Sequence, residues 1–153
     1  MTTKNKPAKR VDVIRVGIIK EGSVLYGNRT ATPAGTSYFM YDNFFKWADR
    51  EQLYLICLNA KCEIQAVHLV SIGSIDTSVV HPREVFKAAI LNNAHSILVA
   101  HNHPSDNLEP SRADINITKR LKETGDIIGI PLLDHLIVGS DGRYFSLKEE
   151  GYL

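Results

Sequence analysis

The sequence lacks the features that mark membrane and secreted proteins. It has no apolar run near the roughly 20 residues needed to cross a bilayer, and the basic first ten residues contain no apolar segment of a secretory signal. The formal net charge is only +1, so the chain also lacks the basic footprint of a dedicated nucleic-acid-binding protein. These absences predict a cytoplasmic protein without a membrane partner.

Cysteine is scarce, and the basic residues are unevenly distributed along the chain. Cys57 lies in an apolar run, where a buried role is expected, and its spacing from Cys62 is weak evidence for a disulfide or a second metal site. The first ten residues contain four of the 18 basic residues and no acid. We predict that residues 1–10 form a basic disordered tail and that residues 11–153 form one domain, long enough to bury a core.

Hydrophobic patterning predicts alternating strands and helices. Strands are expected at 11–26, 53–58, 64–72, 75–80, 96–100, 126–130, 135–138 and 144–146, with a loop at 27–35. Helices are expected at an aromatic-rich segment from 38 to about 49, at 82–92 and at 112–124. The predicted fold class is therefore α/β: a single domain with a mixed β-sheet flanked by helices.

The most informative segment is the one between residues 100 and 114. His101 and His103 follow a predicted strand, and residues two apart on a strand point to the same side. Both imidazoles can therefore reach a common centre at about 2.0–2.1 Å, as Zn²⁺ requires. Ser111 and Asp114 come where a helix begins, and capping alone explains that pair. Capping does not explain two histidines and Pro104 at a strand exit, so we favour a metal site.

These residues carry a resemblance to a known family. His101-x-His103-Pro104, followed by Ser111-x-x-Asp114, resembles the JAMM motif of the MPN-plus zinc metallopeptidases. The sequence around His103 is similar to the RadC family, which consists of bacterial proteins with a JAMM domain (JAB domain). The stretches 80–89 and 133–139 are similar to it as well, so the resemblance covers about residues 48–149. One departure is Asp106, where that family usually has glycine; aspartate tolerates a left-handed backbone better than most other residues.

The resemblance implies a fold, a cofactor and roles for particular residues. The fold would be the JAMM sandwich, similar to cytidine deaminases, with one Zn²⁺ per chain held by His101, His103 and Asp114. Ser111 would stabilise the oxyanion. Glu51, before the strand at 53–58, would be the general base, with Glu63 in reserve. His135, beside Asp134, is either a neighbour of the metal ligands or a structural residue; the remaining histidines and Glu109 receive no role.

Three functions remain open from the sequence. The first is a zinc metallopeptidase acting on a peptide or protein substrate, by hydrolysis of a peptide or isopeptide bond. The second is a metal-binding interaction module without a protease role, because an intact metal site need not mean protease activity. The RadC label is associated with DNA repair, which leaves nucleic acid uncertain as a partner. The third is a metal-dependent nuclease, which the contiguous His101-Asn102-His103 disfavours because the residues of that nuclease motif are dispersed. An oligomer is compatible with all three.

Overall fold

The computed structural model describes residues 9–27, 30–75 and 80–153. Its strands are β1 (Gln52–Leu58), β2 (Ile64–Ile72), β3 (Ser96–Asn102), β4 (Leu132–Val138) and β5 (Tyr144–Ser146). Its α-helices are α1 (Pro33–Met40), α2 (Pro82–Leu91) and α3 (Arg112–Ile128). A π-helical turn, Tyr41–Phe45, follows α1, and a 3₁₀ turn, Ser140–Gly142, precedes β5. The predicted mixed α/β domain is confirmed.

The five strands form one sheet in the order β2-β1-β3-β4-β5. The short turn at 59–63 between the predicted strands at 53–58 and 64–72 predicts a hairpin, and β1 does pair antiparallel with β2. On its other side β1 pairs antiparallel with β3. β3 and β4 are parallel, joined by a crossover that contains α3. Parallel neighbours need such a crossover, so the loop that leaves β3 must turn directly into α3. That loop carries the histidine motif.

Each face of the sheet buries its own apolar cluster. Successive residues of a strand point to opposite faces, so β3 directs Ile97 and Val99 to the face with α2 and α3, and Leu98 and Ala100 to the other. α1 and the π-helical turn cover the second face through Phe39, Met40 and Phe45. By the same alternation, His101 lies on the α3 face and Asn102 on the opposite one. Cys57, in β1, is fully buried, as predicted.

The aromatic-rich helix begins earlier than predicted. We expected a loop over 27–35 and a helix from Tyr38, but α1 already begins at Pro33. Thr32 caps it by accepting a hydrogen bond from the Gly35 N–H at 3.2 Å, and proline is favoured in a first helical turn. The predicted loop is therefore wrong at its end, because the cap and the proline outweigh the weak helix propensity of Gly35.

The amino-terminal strand prediction is also wrong. The described residues of 11–26 form neither helix nor strand, and most of their apolar side chains are exposed, among them Val13 and Ile19. An alternating apolar pattern becomes a strand only when another strand supplies its hydrogen bonds.

The tail up to residue 8 and most of the predicted strand at 75–80 lie outside the described residues. No helix among the described residues is both long and apolar enough to span a membrane.

Helix α3 extends past the position where the sequence suggested that it ends. We expected Gly125 to stop the helix and residues 126–130 to form a strand, but the helix continues to Ile128 and ends at Gly129, whose φ of 82° is left-handed. Gly125 serves close packing instead. A Cβ there would lie 2.5 Å from the Ile130 carbonyl oxygen and 3.3 Å from Phe86 Cζ.

We expect Gly125→Ala to destabilise the domain, although alanine is the better helix former by about 1 kcal/mol. The added methyl meets backbone that cannot move aside, and overpacking typically costs about 1–3 kcal/mol. Denaturant unfolding measures the difference. Glu123→Ala, on an exposed position of the same helix, should change stability by less than about 0.5 kcal/mol. A more stable Gly125→Ala protein would contradict this packing.

Candidate metal centre

The end of β3 and the first turn of α3 bring together the three residues that the sequence singled out. His101 is the penultimate residue of β3, His103 follows the strand, and Asp114 lies in the first turn of α3. One potential ligand atom from each of the three lies within 4.8 Å of the other two. His101 and Asp114 are buried, and His103 is largely buried. Strand and helix thus position one group that could hold a metal ion.

The imidazole Nε2 atoms face one another and the carboxylate. The Nε2 atoms of His101 and His103 are 2.9 Å apart. Asp114 Oδ1 lies 3.3 Å from His101 Nε2, and Asp114 Oδ2 lies 3.5 Å from His103 Nε2. The other ring nitrogen of each histidine is already occupied: His103 Nδ1 contacts the Asn107 carbonyl oxygen, and His101 Nδ1 lies 2.7 Å from His135 Nε2. Both Nε2 atoms are therefore the ones free to act as ligands.

The charges of the cluster favour a bound cation. Burial alone would raise the pKa of Asp114, but the adjacent imidazoles of His101 and His103 and the hydrogen bond from the Ser111 N–H outweigh burial and hold that pKa well below its usual value. Burial alone would lower the pKa of His103, but hydrogen bonds to the Asp114 carboxylate and the Asn107 carbonyl raise it above its usual value. Asp114 therefore favours its ionised form, which is the form that binds a metal ion, and a metal ion would compete with protons for the imidazole nitrogens.

Ser111 and Asp114 hold each other in a capping box, as predicted. The Asp114 N–H donates to Ser111 Oγ at 3.1 Å, and the Ser111 N–H donates to Asp114 Oδ2 at 2.8 Å. The capping interpretation and the ligand interpretation are therefore compatible, because the cap orients the carboxylate that faces the histidines. In this box Ser111 Oγ only accepts, so its own proton remains available to another group.

Glu51 lies on the wall of the same cavity. β1 and β3 pair with Leu53 opposite His101, and continuing that register places residue 51 opposite residue 103. A cavity of about 220 Å³ is lined by Glu51, His103, Ser111 and Asp114, with further residues from its rim: Ser74, Ile75, Ser105, Asn107 and Glu109. The negative charge of Glu51 contributes to the raised pKa of His103. The cavity therefore joins the predicted base to the predicted ligands.

Asn102 fixes the backbone around Glu51, a role that our sequence reasoning missed. Its side-chain oxygen accepts a hydrogen bond from the Gln52 N–H at 2.8 Å, and its amide nitrogen donates to the Arg50 carbonyl at 3.1 Å. Glu51 Oε2 also accepts from the Ile75 N–H at 3.3 Å. The sequence showed only that Asn102 points away from the histidines, which is why no role was assigned to it.

The other acidic residues and histidines considered from the sequence lie outside the cluster of His101, His103 and Asp114. Glu63 follows β1 at the end remote from Glu51, and its carboxylate accepts from Asn59 Nδ2 at 2.8 Å. A seven-residue strand is about 20 Å long, so Glu63 is far from the cavity that Glu51 lines. His68 and His95 are exposed, and His81 is the residue before α2. Glu109 lines the cavity at an exposed position.

The loop between His103 and α3 accommodates Asp106, which stands where the RadC family usually has glycine. This residue has a φ of 62°, in the left-handed region that glycine would adopt without cost, and its N–H donates to the His103 carbonyl at 2.9 Å. Its carboxylate accepts from the Ser140 N–H at 2.7 Å and pairs with Arg143. These contacts, led by the bond from Ser140, lower the pKa of Asp106. Aspartate therefore ties the metal loop to the turn before β5.

The ring of His135 contacts the metal cluster and not the carboxylate of Asp134. Asp134 points elsewhere: it accepts from Ser146 Oγ at 2.6 Å and from the His135 backbone N–H at 2.7 Å. The His135 ring instead lies between His101 and Thr118, at 2.7 and 2.6 Å. Complete burial lowers the pKa of His135 well below its usual value. Of the two roles left open for His135, the observed contacts favour a neighbour of the metal ligands.

The three donors match what Zn²⁺ prefers. Two imidazole nitrogens and one carboxylate oxygen form a set typical of catalytic zinc sites, which keep a fourth position open. We expect His101→Ala and Asp114→Ala to lose bound zinc, measured by elemental analysis after dialysis against a weak chelator. His68→Ala and His95→Ala are matched controls, because both residues are exposed and outside the cluster. Full zinc content in both ligand variants would contradict the site.

Comparison with known proteins agrees with this geometry. The chain is 54% identical over 107 residues to the UPF0758 protein of Caldanaerobacter subterraneus subsp. tengcongensis, covering 70% of this chain and 46% of that protein. It is 47% identical over 121 residues to the UPF0758 protein of Clostridium tetani, covering 79% of this chain and 52% of that protein. The UPF0758 protein of Methanosarcina barkeri is 47% identical over 104 residues, covering 68% and 45%.

The chain spans about half the length of these curated relatives. The family model described as the RadC-like JAB domain matches residues 31–152, which include the sheet, all three helices and the whole metal cluster. The resemblance inferred from the histidine motif is confirmed: the chain belongs to the RadC-like JAB domain family.

Proposed function

We propose that this domain is a zinc-dependent hydrolase that cleaves peptide or isopeptide bonds of a peptide or protein substrate, with water as the nucleophile. The observation that carries the proposal is the cavity beside the metal cluster, which is lined by two of the three metal donors, by Ser111 and by Glu51. Hydrolysis of an amide needs a nucleophile, a polarised carbonyl and a path for the proton. Each need has a matching group in this cavity.

His101, His103 and Asp114 would hold the ion, and three protein ligands leave zinc a fourth position for water or substrate. Zinc bound in this way supplies two effects: it lowers the pKa of a bound water to about 7 and it polarises a carbonyl oxygen. The protein supplies the orientation. Asp114 is held by the capping box, and the Asn107 carbonyl fixes the ring of His103. Such outer contacts orient the ligands and raise their basicity.

Ser111 would stabilise the negative charge that develops on the carbonyl oxygen of the substrate. Its oxygen accepts from the Asp114 N–H, so the hydroxyl proton is free to donate into the cavity that Ser111 lines. A donor aimed at a developing oxyanion is typically worth about 2.7–4 kcal/mol. Because the cap already fixes the Ser111 side chain, the hydroxyl needs little rearrangement to donate in the transition state.

Glu51 would act as the general base. A carboxylate can take the proton of the attacking water and return it to the leaving amine, provided that it is within reach of both. Three hydrogen bonds fix its position. The Asn102 side chain accepts from the Gln52 N–H and donates to the Arg50 carbonyl, and the Glu51 carboxylate accepts from the Ile75 N–H. A base held by the β1–β3 pairing has a fixed position relative to His103, which lies across that pairing.

We expect Glu51→Gln to retain zinc and fold but to lose hydrolytic activity by about 10²–10⁴-fold, because glutamine has the same size and cannot accept the proton. Glu63→Gln is the matched control: it makes the same chemical change on the other candidate, at the remote end of β1. Activity is measured on a library of peptides and isopeptide-linked peptides with the zinc-loaded protein, at equal zinc content, with a chelator control.

The possible outcomes separate the remaining functions. Loss of activity in Glu63→Gln with full activity in Glu51→Gln would move the base to the hairpin. Full activity in both variants would remove a carboxylate base from the mechanism. A zinc-loaded wild-type protein that cleaves no peptide or isopeptide would contradict the proposal and favour the interaction module, and cleavage of plasmid DNA in the same series would favour a nuclease.

A further inference from the structure

A buried row of three side chains runs from helix α3 to the metal cluster. Thr118 Oγ1 lies 2.6 Å from His135 Nδ1, and His135 Nε2 lies 2.7 Å from His101 Nδ1. All three residues have no exposed surface. Thr118 lies on α3 one turn after Asp114, so the same helix contributes both a metal ligand and the start of this row. The proposed hydrolysis mechanism uses neither Thr118 nor His135.

The direction of the hydrogen bonds follows from the first contact. Thr118 Oγ1 lies 2.6 Å from the Asp114 carbonyl oxygen. A carbonyl can only accept, so the hydroxyl proton of Thr118 must lie in that contact. Thr118 Oγ1 then has only lone pairs to offer to His135. The proton between Thr118 and His135 is therefore carried by His135 Nδ1.

The proton position on Nδ1 of His135 also decides the proton position on His101. A neutral imidazole has one N–H and one lone pair, so a neutral His135 that is protonated at Nδ1 presents a lone pair at Nε2. The 2.7 Å contact then requires the proton to sit on His101 Nδ1. A neutral His101 is thereby left with its lone pair at Nε2, the atom that faces His103 and Asp114.

We infer that Thr118 and His135 are positioning residues that set the tautomer of His101, so that its Nε2 lone pair is directed at the metal. This inference deepens the proposed function, because it concerns the same metal site. A metal ion bound at this site would then meet the His101 lone pair without a change of tautomer.

Removal of the Thr118 hydroxyl should change the tautomer of His101 and so weaken zinc binding. His135 Nδ1–H would lose its acceptor in a fully buried position, and an unsatisfied buried donor is destabilising. His135 can avoid that cost by moving its proton to Nε2. It would then donate to His101 Nδ1, which forces the His101 proton onto Nε2 and blocks the ligand atom. The effect would reach zinc without any change in the three ligands.

The test compares Thr118→Val, Thr118→Ser and Thr124→Val with the wild-type chain. Valine keeps the β-branched shape and lacks the hydroxyl, and serine restores the hydroxyl. Thr124 is the matched control, because on the same helix it makes the same hydroxyl bond to the carbonyl four residues earlier, Arg120, at 2.7 Å. Two quantities are measured: zinc affinity by competition with a chromophoric chelator, and the protonated ring nitrogen of His101 by ¹⁵N NMR of the zinc-free protein.

We expect Thr118→Val to bind zinc about 10–100-fold more weakly, the usual effect of losing an outer-shell partner, and to show the His101 proton at Nε2. Thr118→Ser and Thr124→Val should resemble the wild type, with the proton at Nδ1. Wild-type affinity in Thr118→Val, or an equal loss in Thr124→Val, would overturn the inference.

Two readouts keep this test separate from the proposed function. The wild-type NMR measurement needs no variant, so a poorly folded Thr118→Val protein does not prevent a decision: a His101 proton at Nε2 in the wild-type chain would overturn the inference. A wild-type chain that binds no zinc would contradict the metal site itself. In that case the NMR result would still decide whether Thr118 and His135 set the His101 tautomer.

Discussion

The convergence of three hydrogen-bond acceptors at one buried point is the constraint on which this site depends. Two imidazole lone pairs and a carboxylate oxygen repel one another unless a proton or a metal ion lies between them. The fold holds them together because β3 delivers the histidines and the crossover into α3 delivers Asp114 within one short loop. The capping box, the Asp106 contacts and the packing of Gly125 all fix α3 and its loop against the sheet.

Much of this arrangement could be predicted from the sequence because its signals are local. The spacing of His101 and His103 after a β-branched run indicated both the strand end and the shared direction of the rings. Ser111 and Asp114 indicated the start of α3 by their capping pattern, and the structure contains that box. The hairpin over β1 and β2 was equally clear, since its two strands and short turn are adjacent in the chain. A motif within one loop needs no knowledge of the tertiary fold.

The parts that sequence reasoning missed depend on contacts between distant segments. Gly125 looked like a helix stop, but its role is decided by Ile130 and Phe86, which come close only after packing. Thr118 and Asn102 are ordinary polar residues in their own segments; their partners are His135 and the backbone around Glu51. The strand predicted at 11–26 failed for the related reason that a strand pattern does not specify a partner strand.

The proposed hydrolase function depends on one open zinc site, held by His101, His103 and Asp114 beside Glu51. A crystal structure of the zinc-loaded protein, with anomalous data at the zinc edge, tests this most directly. We predict one peak at about 2.0–2.2 Å from the two Nε2 atoms and an Asp114 oxygen, with a fourth position that opens toward Glu51. A peak bound through His135 or through a cysteine, or a fourth protein ligand that closes the site, would contradict the account.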